Sequence, residues 1–222
     1  MGFLLHPIAS LNHLVARFVT DKITLLLAII FFAYLSLTYK GSLWEDIDKK
    51  ISGWAKESKA NFLRSSSEHF ALFGNAVFHI LFCILLSIIY FIFVKEPIAG
   101  ISILFVLIFS WGFNRMVKLI YKRERPRHIV SNVRKRLSHS FPSGHVMASI
   151  PIYFFTAVLL QGKLTFFPWY LIAFVITFFV ISSRIYLNHH YFTDVLGGIA
   201  LGIFCLSISM WFYFFISYVG LA

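Results

Sequence analysis

VLGGIALGIFCLSISMWFYFFISYV, residues 195–219, carries no charged side chain from end to end. A helix needs roughly 20 apolar residues to cross the hydrocarbon core of a bilayer, so this stretch is long enough to span one. Five more stretches of the same character lie upstream, at 23–39, 76–94, 97–117, 144–161 and 165–187. Composition agrees: 59% of residues are hydrophobic, 27 are Phe and only 13% are charged, against about a quarter charged in soluble proteins. Only helices or closed barrels satisfy backbone polar groups in lipid, and continuous runs of this length are helical. The chain therefore reads as all-α, a six-transmembrane-helix bundle forming one integral membrane domain over 1–222.

The flanks of these spans add detail. Lys95-Glu96-Pro97 and Gln161-Gly162-Lys163 are short connections, so spans two and three, and spans four and five, are antiparallel neighbours. Leu4, Ile8, Leu11, Val15 and Phe18 recur at intervals of four and three, the pattern of an amphipathic helix lying on the membrane. Trp44, Ile47, Ile51 and Trp54, set against Glu45, Asp46, Lys49 and Lys50, predict a second such interfacial helix after span one. The first apolar run lacks a basic leader and a small-residue cleavage site and reads as a retained helix. Cys83 and Cys205 both fall inside spans, with no polar flank marking a metal ligand, and are read as unpaired.

Net charge is +11, and its placement matters more than its size. Of 20 Lys and Arg, only Arg17, Lys22, Lys95 and Lys163 belong to one side of the six-span layout. The rest belong to the other side. They include a loop with Lys122, Arg123, Arg125, Arg127, Arg134, Lys135 and Arg136 against the single acid Glu124. A basic soluble protein would suggest nucleic acid. In a bilayer the expected partner is an anionic lipid head group instead.

Three short segments at span ends on that basic side carry the chemistry. In the third, Ser183-Arg184 precedes His190 and Asp194, which are four residues apart and can share a helix face. A carboxylate beside an imidazole fixes its tautomer and leaves the other nitrogen free to attack or to accept a proton. Alone, the pair equally describes the polar start of a helix. In the first, Lys118 and Arg125 are spaced close to two helical turns, with Pro126 ending the helix; together they could grip one phosphate, although span-end cations commonly just reach for the interface. In the second, Pro142-Ser143-Gly144-His145 opens span four, with Ser140 or Phe141 before the helix and Pro142 in its first turn. The free N–H groups there suit phosphate oxygens, Gly144 allows close approach, Ser143 adds a hydroxyl donor, and His145 is placed to protonate a departing alkoxide.

Taken together, Lys-x6-Arg-Pro, Pro-Ser-Gly-His and Ser-Arg-x5-His-x3-Asp resemble the type 2 phosphatidic acid phosphatase superfamily at every motif position, from Lys118 to Asp194. The resemblance implies a metal-independent lipid phosphatase with no cofactor. His190 would attack phosphorus to give a phosphohistidine, Asp194 would hold its ring, and His145 would protonate the leaving oxygen and then activate water. Lys118, Arg125, Ser143, Gly144 and Arg184 would bind the phosphoryl oxygens. His189, beside the nucleophile, is expected to matter far less.

Other residues read as structural. Gly198 and Gly202 predict close helix packing. Trp44, Trp54 and Trp169 suit interfaces. His6, His13, His69 and His79 lack partners at ligand spacing, and His128 and His139 read as solvated loop positions. The positive-inside rule would put the basic face in the cytoplasm. Bacterial members of the resembled family usually face outward, so the expectation is a multi-pass protein of a bacterial inner membrane with its site toward the periplasm. A multiply charged head group suits the basic loop, which favours a lipid A phosphate, with undecaprenyl diphosphate next and phosphatidylglycerol phosphate or phosphatidic acid behind. Two other readings remain. A vanadate-dependent haloperoxidase uses the same residue set but is soluble, and a non-catalytic anion or lipid transporter would not need His190 paired with Asp194.

Overall fold

The computed structural model describes residues 17, 21–58, 61–126, 139–164 and 167–219. The expected interfacial helix over 3–18, apart from Arg17, lies outside the described residues, as do His6, His13, Arg127, His128, Arg134, Lys135 and Arg136. Among the described residues the structure is helical, with no strand.

Helix α1, Lys22–Thr38, starts at Asp21, whose carboxylate accepts from the Thr24 N–H at 3.4 Å, the usual way of satisfying a first-turn donor. After Gly41 the chain turns by 88° into α2, Ser42–Glu57. Helix α3 follows at Asn61–Phe73 and α4 at Ala76–Ile89, the latter capped by Asn75 and extended by one π-helical turn, Tyr90–Val94. Lys95, at φ 58°, reverses the chain, and Pro97 sits in the first turn of α5, Pro97–Tyr121, where its missing N–H costs nothing. Helices α6, Gly144–Lys163, α7, Trp169–Tyr186, and α8, Phe192–Val219, complete the order. Five helices (α4 with its π turn, α5, α6, α7 and α8) are long and apolar enough to cross a membrane, and the bent pair α1–α2 makes six when it is counted as one span. This is a multi-pass membrane bundle.

Helix α6 is its centre. It packs against α5, α7 and α8, and side chains all around it are buried, among them Val146, Met147, Ile152 and Phe155, as expected of a helix enclosed by others. Gly198 and Gly202 account for how close α8 comes. A Cβ at Gly198 would stand 2.9 Å from the Ser143 carbonyl oxygen, and one at Gly202 2.9 Å from Ile150 Cδ1. The expected small-residue seam is therefore present. Leu26 and Leu27 of α1, Leu81 and Leu85 of α4, and Phe174 and Phe178 of α7 remain exposed, as lipid-facing residues should. At the far end of the bundle, an ion pair between Lys163 and Glu96 joins the two short connections.

Three expectations change, and a fourth gains detail. The amphipathic helix expected after span one is present as α2: its Trp44–Trp54 stripe stays unburied, with Trp54 58% exposed, while Asp48, Ser52 and Ala55 are buried. Polar residues face inward there because polar groups of α8 and of the turn before it receive them, as described below. Helix α3 was not anticipated, since its Ser65-Ser66-Ser67 run is a weak helix former; packing along α7 sustains it. Helix α5 stops at Tyr121, where Lys122 turns left-handed at φ 45°, so Arg125 does not share a helical face with Lys118. Helix α6 begins at Gly144 with Ser143 as its cap, leaving Pro142 outside, because the first intrahelical bond runs from Met147 N–H to the Ser143 carbonyl.

Candidate active site

Three chain reversals converge at one end of the bundle. The first is the left-handed Lys122, after which 122–126 runs as non-helical chain and carries Arg123 and Arg125 back over the helix ends. The second is the segment 139–143 entering α6. The third lies between α7 and α8, where Asn188 takes φ 52°, a conformation that Asn tolerates better than most residues. There the Asn188 side-chain oxygen accepts a 2.9 Å hydrogen bond from Ser52 of α2.

His190 stands just before α8 and is buried. Its Nδ1 lies 3.3 Å from the Ser140 hydroxyl and 3.5 Å from Asp194 Oδ2. Its Nε2 points the other way, 3.3 Å from a guanidinium nitrogen of Arg125, which also donates to the His189 carbonyl at 3.0 Å. A guanidinium has no acceptor, so this contact requires a lone pair on Nε2 and puts the proton on Nδ1. Burial first, and then the charges of Arg125, Arg184, Lys118 and His189, hold the imidazole well below its ordinary range. It is therefore neutral at neutral pH, with Nε2 unprotonated among cations.

Asp194 is in the first turn of α8 and fully buried. The sequence placed it on one helix face with His190; in the structure it reaches back past the helix start instead. Its Oδ2 accepts from the Tyr191 N–H at 2.9 Å and from the Ser140 hydroxyl at 2.5 Å. The first of these is the reciprocal half of a capping box, an acid three residues into the helix satisfying the cap N–H. Its other oxygen receives Arg123 at 2.8 Å.

The remaining residues that the sequence singled out gather around this pair. The Ser143 N–H donates to the Asp194 carbonyl at 2.9 Å, and its buried hydroxyl has no hydrogen-bond partner among the described residues. Gly144 serves packing: a Cβ there would stand 2.8 Å from Asn114 Oδ1 of α5. His145 has His190, Arg184 and Arg125 as electrostatic neighbours, and its ring stands edge-on to Trp111 at 6.4 Å. Lys118 neighbours Arg125, Arg184 and Asp194. Arg184 is buried, and its guanidinium lies 2.5 Å from Nδ1 of His189, so that histidine holds a cation of the cluster. His79, read as a packing residue, is fully buried near Ser149, Trp111 and Tyr153.

Sequence reasoning missed Arg123, Asp48 and Thr193, and treated Ser140 only as a helix-start residue. Arg123 looked like one more charge in a basic loop. Asp48 carried one usable signal: it lies with Ser52 and Ala55 at i, i+4, i+7, a small polar stripe within an amphipathic helix.

The PAP2 superfamily model matches residues 99–218, a stretch that includes every motif from Lys118 to Asp194. The chain belongs to the PAP2 superfamily. Two curated relatives are similar over part of their length. One is phosphatidylglycerophosphatase B of Bacillus subtilis (strain 168), 38% identical over 109 residues, 46% of this chain and 53% of that protein. The other is the lipid A 4'-phosphatase of Porphyromonas gingivalis, 30% identical over 132 residues, 53% of this chain and 54% of that protein. The chain thus spans about half the length of the curated relatives it matches. The crystal structure of a transmembrane PAP2-type phosphatidylglycerolphosphate phosphatase from Bacillus subtilis superimposes with a TM-score of 0.75 at 26% identity, covering 84% of this chain and 94% of that one.

Proposed function

We propose that this PAP2 chain, as one domain, hydrolyses a lipid phosphate without metal or cofactor, through a phosphohistidine at His190. The observation that carries this reading is the orientation of the His190 ring, with Nδ1 toward Ser140 and Asp194 and Nε2 toward Arg125. Nε2 attacks phosphorus, the phosphorus–oxygen bond to the lipid breaks, and His145 gives its proton to the departing oxygen. Water then attacks the phosphoryl group, His145 takes a proton from it, and the phosphorus–nitrogen bond breaks to release phosphate. Lys118, Arg125, Arg184, the Ser143 hydroxyl and the Gly144 N–H hold the phosphoryl oxygens as charge moves in the transition state.

For the lipid, the basic residues from Lys122 to Arg136 support a head group with several negative charges, and a lipid A phosphate is the first reading. The lipid A 4'-phosphatase relative supports it too. Phosphatidylglycerol phosphate is the second, supported by the B. subtilis relative and the solved structure. The site would face the periplasm from a bacterial inner membrane, an orientation that suits a polyanionic substrate on the basic face.

The experiment is phosphate release by purified protein in detergent with EDTA, offered lipid A, phosphatidylglycerol phosphate, undecaprenyl diphosphate and phosphatidic acid. Release from lipid A above the others, unaffected by EDTA, is expected. Release only from phosphatidylglycerol phosphate would reverse the order of the two substrates. No release from any of them would end the phosphatase reading in favour of a non-catalytic lipid or anion carrier.

A further inference from the structure

Arg123 and Asp48 belong to a closed ring of hydrogen bonds behind the His190–Asp194 pair. One Arg123 nitrogen donates to Asp194 Oδ1 at 2.8 Å and to the Thr193 hydroxyl at 2.6 Å; the other donates to Asp48 Oδ2 at 2.8 Å. The guanidinium also lies between two aromatic rings, 4.6 Å from the centre of Tyr39 and 4.3 Å from that of Tyr191. Asp48 in turn accepts from the Thr193 N–H at 3.0 Å and from the Thr193 hydroxyl at 2.6 Å. The Arg123 carbonyl accepts the Ser140 N–H at 2.7 Å, so the same residue fixes the serine that stands between carboxylate and imidazole.

Burying such charges is costly, and apolar side chains of similar volume would stabilise a fold at least as well. What the ring accomplishes is geometric. With Oδ1 of Asp194 tied to Arg123 and Oδ2 tied to Ser140 and Tyr191, the carboxylate cannot rotate away from His190. Asp48 anchors the far end from α2, and it lies outside the residues 99–218 that match the family. The bent pair α1–α2 is thereby linked to chemistry at the start of α8.

We propose that Asp48 and Arg123 are positioning residues that lock the Asp194 carboxylate in the orientation His190 requires, coupling α2 to the site. This rests on the phosphatase reading above. Displacing a reacting geometry by about 1 Å can cost on the order of 100-fold in rate, so variants that loosen the ring should lose kcat roughly 10- to 100-fold while KM stays within about twofold.

The test uses full-length protein in detergent with the same four lipids, comparing wild type, His190→Ala, Asp48→Asn, Arg123→Gln, Thr193→Val and Thr193→Ser, each with a thermal melt. The charged or titratable groups around His190 are Lys118 from α5, Arg125 from the segment after it, His145 from α6, Arg184 from α7, His189 from the α7–α8 reversal, and Asp194 from α8. Arg123→Gln takes a positive charge from beside Asp194, so the acid limb of kcat/KM should move to higher pH. Asp48→Asn takes a negative charge from the same ring, so the limb should move to lower pH. Loss of folded protein would scale the rate equally at every pH and move neither limb. Thr193→Val preserves volume and every charge, and carries the test if the charge variants do not fold; it should lose kcat at unchanged KM, and Thr193→Ser should restore it. Unmoved limbs, or folded Asp48→Asn and Thr193→Val proteins with kcat within twofold of wild type, would overturn the proposal. A wild type without activity, or an active His190→Ala, would instead show in the controls and bring down the phosphatase reading together with this inference.

Discussion

Ser140 and Asp194 are joined by a 2.5 Å hydrogen bond that sets the serine hydroxyl between carboxylate and imidazole. That hydroxyl is 3.3 Å from His190 Nδ1, slightly nearer than the carboxylate at 3.5 Å. The carboxylate thus acts on the ring both directly and through a serine that belongs to the segment entering α6. A site assembled from three chain reversals has its geometry set by such cross-links.

Ser140→Ala should therefore slow turnover without weakening substrate binding. Asp194 Oδ2 keeps the Tyr191 N–H but loses its hydroxyl donor; a hydrogen bond to a charged group contributes about 1.5–3 kcal/mol, which corresponds to roughly 10- to 150-fold in kcat if expressed at the transition state. Steady-state kinetics on the best lipid substrate checks this; a large rise in KM at unchanged kcat would contradict it.

Asp194→Asn should be more severe. It disturbs the tautomer of His190, the cap of α8 and the partner of Arg123 at once. Loss of the orienting carboxylate in a comparable triad costs about 10,000-fold in kcat, and a loss of at least 100-fold is expected here. The melting temperature should also fall, because removing one side of a buried ion pair typically costs about 3–5 kcal/mol.

His190 should remain neutral below its ordinary pKa of 6.5, because burial and the surrounding cations disfavour its charged form. Nitrogen NMR of histidine-labelled protein should show, at pH 6.5, a ring protonated on Nδ1 and bare on Nε2; a mostly charged ring at that pH would contradict the geometry. For stability, the sign follows from proton uptake. The unfolded chain binds a proton near the ordinary value and the folded chain only at lower pH, so falling pH favours unfolding. The stability present above pH 6.5 is lost as pH drops through that window, and His190→Ala should lose less of it.

Gly198→Ala should damage both stability and activity. The added methyl would meet the Ser143 carbonyl, a backbone atom that cannot swing aside, at 2.9 Å. Forcing α8 from the start of α6 should cost about 1–3 kcal/mol and disturb the Ser143 N–H bond to the Asp194 carbonyl. A melt together with a turnover assay would detect both; normal values for the two would mean the helices re-pack freely.

The spans and motif residues were legible in the sequence because lipid imposes long apolar runs and because Lys118, His145, Arg184 and His190 fall at their ends. Local rules failed where the backbone reverses. Nothing in the chain near Lys122 announces a left-handed residue, so Arg125 was placed on a helix it has already left. Arg123 and Asp48 were invisible for another reason: their partnership spans 75 positions and depends on α2 turning its polar stripe toward the bundle. Periodicity reports which face of a helix is apolar, but a buried ion pair hides on the face it calls polar.

The most direct measurement is phosphate release by folded His190→Ala beside wild type on the lipid that wild type hydrolyses best. With His190 as the nucleophile, the variant should lose more than roughly 1,000-fold in kcat while melting as a folded protein. A folded His190→Ala protein that turns over within tenfold of wild type would remove His190 from the chemistry.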